Sequence, residues 1–344
     1  MAYFGTWVLK HWYRRAPSWL SLLLLPLAFV FGVVAECRAS LYRYGFIRVH
    51  RLSVPVIVVG NITVGGTGKT PLVIALVKAL QAKGYTPAVI SRGYGSDPHH
   101  EVTEVTPQSA TADVGDEPIE IVSATGVLMA VGADRLVCAR HLLMRHPNIN
   151  VIISDDGLQH YRLARTVEIA VFDAMLGVGN GFLLPAGPLR ERVSRCGHVD
   201  AIVVTGDETL LPPAALSSLQ HTPIFRQALK PTLWRNVATP EMARRLESFS
   251  DETNVHAVAG IGNPDRFFAT LKSLNIAFTP HAFSDHHDYR AEELAYKGAK
   301  WILMTEKDAV KCRALADASF WSLTVESAID ESLLTLILRK LRDF

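Results

Sequence analysis

The sequence has 344 residues, which is long enough for two domains. Of these residues 49% are hydrophobic and 20% are charged, a composition that excludes an intrinsically disordered chain. The formal net charge is only +2, and we expect no nucleic acid among the partners. The charge is unevenly distributed, because residues 1–51 carry seven Lys/Arg and a single acid, Glu36, while the rest carries 28 Lys/Arg and 32 Asp/Glu.

The N-terminal segment, residues 1–52, is basic, aromatic and apolar. Its 20 residues between Arg15 and Glu36, APSWLSLLLLPLAFVFGVVA, carry no charge, although Pro26 and Gly32 weaken a straight helix. Such a helix would be about 30 Å long, the thickness of the bilayer hydrocarbon. Aromatic rings and cations together are typical of a membrane–water interface. We expect an uncleaved anchor that spans the membrane or lies in the interface; a cleaved signal peptide or a core helix is the alternative.

A glycine-rich loop follows the first strand-like run. Val54–Val59, VPVIVV, is continuously apolar, as expected of a strand buried on both faces of a parallel sheet. The loop GNITVGGTGKTP, Gly60–Pro71, comes next, and the run LVIALVKALQAKG then has helical spacing and stops at Gly84. A strand, a glycine loop and a helix in this order predict a phosphate-binding loop.

The loop departs from the common P-loop patterns. Thr63 stands where G-x-x-x-x-G-K-[ST] has its first glycine, and Val64 stands where the deviant ATPase loops have a lysine. A glycine-rich turn with a chance Lys–Thr pair is the alternative, but the flanking elements favour ATP binding. Lys69 would then reach the β- and γ-phosphates, and Thr70 would offer its hydroxyl to Mg²⁺. The predicted nucleotide-binding residues are Thr63, Val64, Gly65, Gly66, Thr67, Gly68, Lys69 and Thr70.

Two acidic motifs follow the loop. INVIISDDGLQH, Ile149–His160, is an apolar strand that ends in Asp155 and Asp156, where P-loop enzymes hold Mg²⁺. DVGDEP, Asp113–Pro118, has the composition of a loop. It is either a solvated acidic turn or a carboxylate base or metal ligand that faces the phosphates, and the pattern alone leaves both open.

Eight motifs in a fixed order resemble those of one family. They are GNITVGGTGKTP, SRGYG, GDEP, SDDGLQH, LLPAGPLRE, GIGNPDRFF, SDHHDY and TEKDAVK, and they extend to about Lys311. This order is similar to that of the tetraacyldisaccharide 4'-kinase (lipid A 4'-kinase) family, which shares the missing glycine at Thr63. The resemblance implies a kinase of lipid A (lipopolysaccharide) biosynthesis. It would transfer the ATP γ-phosphoryl group to the 4'-hydroxyl of a tetraacylated glucosamine disaccharide 1-phosphate.

The resemblance also implies the fold and the cellular place. We expect an α/β protein with an N-terminal membrane helix, a P-loop NTPase-like domain with a mostly parallel sheet at 53–223, and a smaller C-terminal α/β domain at 241–344. A two-stranded linker at 224–240 would join them, with Ile224–Val237 extended. The enzyme would be a monomer on the cytoplasmic face of the bacterial inner membrane. Its partners would be the lipid substrate and the membrane surface, and its cofactors ATP and Mg²⁺.

By resemblance, individual residues receive roles. Asp116 of GDEP is the base that accepts the proton of the sugar hydroxyl, and His286 of SDHHDY pairs with it across the domain cleft. Lys69 completes the catalytic set, and Arg135 binds a phosphate of the substrate. From the residues alone, DHH leaves a metal site open as an alternative. The implied Mg²⁺ group comprises Thr70, Glu117, Asp155, Asp156, His160 and Glu191.

One further motif, a histidine pair and the cysteines complete the sequence. TEKDAVK, Thr305–Lys311, contacts the nucleotide base or caps a helix, and we favour the cap. His99 and His100 are expected on the surface of a loop. The four cysteines (Cys37, Cys138, Cys196 and Cys312) form no CxxC pair and are expected to be reduced. A different functional class, a membrane-recruited P-loop ATPase or switch that binds protein partners, is the alternative to a lipid kinase.

Overall fold

The computed structural model describes residues 11–14, 17–93, 102–206 and 222–344. His99, His100, the end of SRGYG and the first ten residues of the predicted anchor lie outside the described residues. The helices are α1 (Trp19–Leu23), α2 (Leu25–Arg43), α3 (Lys69–Ala82), α4 (Thr111–Val114), α5 (Asp116–Thr125), α6 (Arg135–Arg145), α7 (Pro264–Ser273), α8 (Ala291–Leu294), α9 (Glu306–Cys312) and α10 (Glu331–Arg342). Short 3₁₀ helices occupy Val193–His198 and Leu246–Phe249.

The strands form two sheets. They are β1 (Val56–Gly60), β2 (Pro87–Ser91), β3 (Thr103–Glu104), β4 (Leu128–Val131), β5 (Val151–Asp155), β6 (Val167–Asp173), β7 (Ala201–Thr205), β8 (Ile224–Gln227), β9 (Leu229–Asn236), β10 (Ala243–Arg244), β11 (Val255–Ala259), β12 (Thr279–Ala282), β13 (Trp301–Thr305) and β14 (Phe320–Ser327).

The larger unit is built on an eight-stranded sheet in the order β3-β4-β2-β5-β1-β6-β7-β8. Its strands pair in parallel except β3, which is antiparallel to β4. Every residue of β1 is buried. Ile57 and Val59 belong to one hydrophobic core and Val56 and Val58 to a second, because successive side chains of a strand point to opposite faces. The continuous apolar run in the sequence therefore reflects a strand covered on both sides, as predicted.

The smaller unit is built on a six-stranded sheet in the order β10-β9-β14-β13-β11-β12. Strands β11 to β14 pair in parallel, whereas β9 is antiparallel to β14. Its core is aromatic, with Phe249 packed edge-on against Trp234 and Trp321 at ring-centre distances of 5.2 and 5.9 Å. The expected α/β architecture, with two sheets and a mostly parallel larger one, is confirmed.

Two segments cross the predicted domain limits. The predicted linker supplies one strand to each sheet, since β8 pairs with β7 and β9 pairs with β14. Helix α10, assigned from the sequence to the C-terminal unit, returns to the larger one. Its apolar residues Leu333, Ile337 and Leu341 recur every four positions and are buried in the core that contains Ile57. The larger unit is thus completed by the end of the chain.

Helix α2 packs along the larger unit on a narrow face. Ala28, Gly32, Ala35 and Ala39 recur at helical spacing and are buried or half-buried. A Cβ atom on Gly32 would lie 2.6 Å from Leu183 Cδ1, so the small residue permits the close approach. Pro26 lies in the first turn, where its missing N–H does not interrupt the helix.

The opposite face of α2 is apolar and exposed. Leu27, Val30 and Val34 are each more than half exposed. By length and composition α2 is able to cross a membrane, and it is the one such helix within the residues that the structure describes. The protein contacts it at both ends, because Asn180 Nδ2 donates to Ser21 Oγ at 3.1 Å just before α2, and the Tyr42 ring lies 5.9 Å from that of Tyr161.

Candidate active site

The glycine-rich loop lies between β1 and α3, and the protein fixes its conformation. Gly65 and Gly68 have φ angles of 112° and 86°, in the left-handed region that side chains rarely adopt. The Thr205 hydroxyl donates to the Thr67 carbonyl at 2.9 Å. Helix α3 then begins at Lys69, so its N-terminus, which favours anions, adjoins the loop.

Thr63 shows why this loop needs no glycine at its first position. Its side chain is buried, and its backbone forms an antiparallel bridge with Leu189. The next residue, Val64, donates its N–H to the Pro188 carbonyl at 2.9 Å. The φ angle of Thr63 is not positive, so a β-branched residue fits without strain. The segment LLPAGPLRE therefore supports the loop from outside.

Asp155 ends β5 and Asp156 follows it, beside this loop. Burial and the charge of Glu117 raise the pKa of Asp155 to about 7. Asp156 Oδ1 lies 3.6 Å from Lys69 Nζ, and its Oδ2 accepts a hydrogen bond from Arg190 at 2.9 Å. Burial by itself would raise the pKa of Asp156, but Lys69 and Arg190 lower it to about 2. Asp156 is therefore firmly ionised, whereas Asp155 needs a further cation nearby to be fully ionised.

The donor atoms of this pair fit a divalent ion. The Oδ1 atoms of Asp155 and Asp156 are buried and have no hydrogen-bond partner among the described residues. Thr70, at the start of α3, is also buried. Carboxylate and hydroxyl oxygens are the ligands that Mg²⁺ prefers, and a cation here would favour ionised Asp155.

The other predicted Mg²⁺ ligands have different partners. Glu117 Oε1 accepts a hydrogen bond from Lys307 at 3.1 Å. Glu191 Oε2 accepts one from Gln159 at 2.8 Å, and His160 Nε2 lies 3.7 Å from Asp134 Oδ1. No group of three or more His, Cys, Asp or Glu side chains is arranged to hold an ion in the part of the chain that the structure describes, and the four cysteines are free.

Asp116 and His286 meet across the two units. Asp116 is the first residue of α5 in the larger unit, and His286 lies in a loop of the smaller unit with a left-handed φ of 57°. His286 Nδ1 is 3.0 and 3.1 Å from the two carboxylate oxygens of Asp116. The pairing expected from the resemblance is therefore present, although residues 170 positions apart form it.

The charges around this pair keep Asp116 ionised. Lys307 Nζ and Lys311 Nζ each lie 4.0 Å from Asp116 Oδ2. Burial would raise the pKa of Asp116, but the hydrogen bond with His286 and the two lysines lower it to about 2. Burial likewise opposes ionisation of His286, yet the hydrogen bond to Asp116 raises its pKa.

Sequence reasoning missed both lysines, although it singled out their motif. Thr305 is the N-cap of α9, and its hydroxyl accepts from the Asp308 N–H at 3.2 Å, as favoured from the sequence. The cap fixes the start of the helix and thereby turns Lys307 and Lys311 toward Asp116. Lys307 and Lys311 are four residues apart, so a helix over this motif would have placed both on one face, and this spacing was the available signal.

The two units also touch directly at the glycine-rich loop. A Cβ atom on Gly262, in the motif GIGNPDRFF, would lie 2.5 Å from the backbone nitrogen of Gly66. Arg266 of the same motif donates a hydrogen bond to Asp173 at the end of β6. The two units are thus in direct contact at the glycine-rich loop.

Arg135, Arg190 and Tyr13 complete the surroundings of the loop. Arg135 donates to the backbone carbonyl of Asp156 at 2.7 Å, and its Nε has no hydrogen-bond partner among the described residues. Arg190 and Tyr13 were not predicted. The Tyr13 hydroxyl, whose pKa burial raises to about 12, donates to the Val64 carbonyl, so the N-terminal segment contacts the loop.

Known proteins resemble this chain over nearly its whole length. The profile of the tetraacyldisaccharide-1-P 4'-kinase family matches residues 20–342. A tetraacyldisaccharide 4'-kinase from Dechloromonas aromatica is 45% identical over 98% of this chain and 97% of its own length. One from Shewanella sediminis is 47% identical over 94% and 91%, respectively.

Among solved structures, the "apo" form of LpxK from Aquifex aeolicus in complex with ATP is similar with a TM-score of 0.76. It is 27% identical, and the match covers 94% of this chain and 99% of that one. The resemblance seen in the eight motifs is thereby confirmed over nearly the full length. The chain belongs to the tetraacyldisaccharide-1-phosphate 4'-kinase family.

Proposed function

We propose that this protein transfers the γ-phosphoryl group of ATP to the 4'-hydroxyl of a tetraacylated glucosamine disaccharide 1-phosphate. Family membership supports the substrate class, and the ATP in the similar Aquifex structure supports the nucleotide. The observation that carries the proposal is the contact between Asp116 and His286. It brings an ionised carboxylate to the contact between the two units, where Gly262 of the smaller unit also approaches Gly66 of the glycine-rich loop.

Asp116 acts as the base for the sugar hydroxyl. Its Oδ1 accepts the backbone N–H of Glu117 at 2.9 Å and lies 3.0 Å from His286 Nδ1, whereas Oδ2 lies 3.1 Å from that same nitrogen and keeps a lone pair for the incoming hydroxyl. A carboxylate with a pKa of about 2 is a weak base toward an alcohol. It suffices here because phosphoryl transfer releases the proton late, when the attacking oxygen has become acidic.

Positioning and charge neutralisation supply the rest of the catalysis. Backbone N–H groups between Gly65 and Thr70 and the Lys69 ammonium bind the ATP phosphates, and Arg135 contributes a cation for a phosphate of the substrate. Thr70, Asp155 and Asp156 would hold Mg²⁺, consistent with the unpartnered oxygens of the two aspartates. When bound, Mg²⁺ neutralises negative charge on the transferring phosphates.

We further propose that α2 lies in the plane of the membrane surface. The larger unit contacts the chain from Ser21 to Tyr42, a stretch of about 30 Å at the helical rise per residue. A helix that spanned the bilayer would draw the polar surface that it packs against into the hydrocarbon. Lying flat, α2 presents Leu27, Val30 and Val34 to lipid and keeps the cleft at the level of the headgroups.

In this arrangement the enzyme is a monomer on the cytoplasmic face of the inner membrane, where ATP is present. The lipid substrate would present its sugar headgroup to the cleft while its acyl chains stay in the bilayer.

The test is to incubate the purified protein with γ-labelled ATP and the disaccharide acceptor in mixed micelles. Label should appear at the 4'-position of the lipid and require Mg²⁺. ATP hydrolysis that proceeds equally without the lipid would instead indicate a P-loop ATPase or switch and would overturn the proposal.

A further inference from the structure

Lys307 occupies the centre of the contact between the two units. It is the second residue of α9, and its side chain is only 14% exposed. Its ammonium lies 3.1 Å from Glu117 Oε1 of the larger unit, and 3.0 Å from Asp285 Oδ1 and 3.2 Å from His286 Nε2 of the smaller unit. Three contacts match the three N–H donors of an ammonium group.

These contacts determine which nitrogen of His286 carries the proton. An ammonium only donates hydrogen bonds, whereas a carboxylate only accepts them. His286 Nε2 must therefore accept from Lys307. His286 Nδ1, which faces both oxygens of Asp116 at 3.0 and 3.1 Å, must donate. A single tautomer of neutral imidazole, with its proton on Nδ1, satisfies both neighbours.

The tautomer of His286 that carries its proton on Nε2 competes with this arrangement. Asp285 Oδ2 lies 3.8 Å from His286 Nε2 and would attract a proton on that nitrogen. The ring would then turn the lone pair of Nδ1 toward the ionised Asp116, and the hydrogen bond across the units would be lost. Lys307 prevents this, because it neutralises Asp285 and occupies the position in front of Nε2.

We propose that Lys307 is a positioning residue that locks His286 as a hydrogen-bond donor to Asp116. This inference rests on the proposed function, because it concerns the base of that reaction. With Nδ1 protonated and Nε2 covered by an ammonium, His286 cannot receive the proton that Asp116 takes from the sugar hydroxyl. His286 therefore orients the base and does not relay the proton.

The hydrogen bond that Lys307 supports joins the two units, because Asp116 belongs to the larger unit and His286 to the smaller one. Lys307 belongs to the smaller unit, and one of its three partners, Glu117, belongs to the larger one. Besides Lys307, Asp116 on α5 and Asp285 in its own loop face His286. Lys311 on α9 lies 3.0 Å from Asp308 Oδ1 and 4.0 Å from Asp116 Oδ2, so its charge acts on the Asp116 side of the pair.

The first test reads the tautomer directly. Nitrogen-15 NMR of protein labelled in its 13 histidines, with His286→Ala used to assign the signal, is recorded at a pH above the raised pKa of His286, so that its imidazole is neutral. Wild-type protein should show a protonated Nδ1 and an unprotonated Nε2. In Lys307→Met the proton should appear on Nε2 or be shared between the two nitrogens. A wild-type signal with Nε2 protonated, or an unchanged tautomer in folded Lys307→Met, overturns the proposal.

The second test measures kinase activity. Lys307→Met should lower kcat about 10- to 100-fold, the range for losing one charge-assisted hydrogen bond, with little change in KM for ATP. Lys307→Arg, which keeps a donor, should recover part of that loss. In a His286→Ala background Lys307→Met should have almost no further effect, since it acts through the missing imidazole. An equal loss in both backgrounds overturns the proposal.

Lys272→Met removes an exposed lysine of the same unit and serves as the matched control. If Lys307→Met does not fold, the wild-type spectrum and Lys307→Arg still decide the outcome. An absence of kinase activity in the wild-type protein would refute the proposed function and leave the tautomer measurement intact, so the two failures are distinguishable.

Discussion

Replacing Gly262 with alanine should slow phosphoryl transfer by holding the two units apart. The added Cβ would lie 2.5 Å from the backbone nitrogen of Gly66, whereas ordinary contact begins at 3.4 Å. The loops must therefore separate by about 0.9 Å, and backbone, unlike the end of a flexible side chain, cannot simply turn aside. Displacing reacting groups by about 1 Å can cost about 100-fold in rate, so we expect kcat to fall by about that factor.

The assay is the initial rate of lipid phosphorylation, measured beside thermal unfolding. The φ angle of Gly262 is not positive, so alanine adds no backbone strain and the melting temperature should hardly change. Gly197→Ala is the matched control, because its Cβ would meet nothing within 4 Å. A Gly262→Ala protein that keeps the wild-type kcat would show that this close contact is not needed for catalysis.

Three further predictions concern the site and the membrane face. Lys69→Ala should lower phosphoryl transfer by about 10²- to 10³-fold while the protein stays folded, and near-normal turnover would contradict its role at the phosphates. Asp116→Asn should lower kcat by about 10²- to 10⁴-fold with KM for ATP little changed. Adding His286→Ala should then cost little more, whereas fully multiplicative losses would mean that the two residues act independently. Leu27→Lys should weaken binding to phospholipid vesicles roughly tenfold without lowering the melting temperature; an equal loss in Met144→Lys, an exposed position outside α2, would refute the assignment of that face.

The local elements of the fold could be predicted because their signals are local. A continuous apolar run predicted β1, and the glycines before Lys69 predicted the loop and the helix that follows it. The amphipathic pattern of α10 indicates a helix equally well. This pattern does not indicate whether the apolar face of α10 packs into the core of the larger or of the smaller unit, since both cores accommodate leucine and isoleucine.

In the candidate site, too, local sequence signals could not predict which distant residues meet or which neighbour faces the site. The pairing of Asp116 with His286 came from the family resemblance, because nothing local relates positions 170 residues apart. In LLPAGPLRE the prediction selected Glu191, whereas its neighbour Arg190 is the residue that contacts Asp156. Adjacent side chains in extended segments point in opposite directions, and the sequence does not state which one faces the site.

The return of α10 to the larger unit has a mechanical consequence. The chain passes from one unit to the other twice, between β8 and β9 and between β14 and α10. The two passages lie side by side, because Leu229 at the start of β9 pairs with Ser327 at the end of β14. A two-stranded ribbon bends more easily out of its plane than within it, so we expect the two units to separate by rotation about one axis. Cutting the chain at either passage alone would leave the units joined by the other, with α10 still anchored in its core.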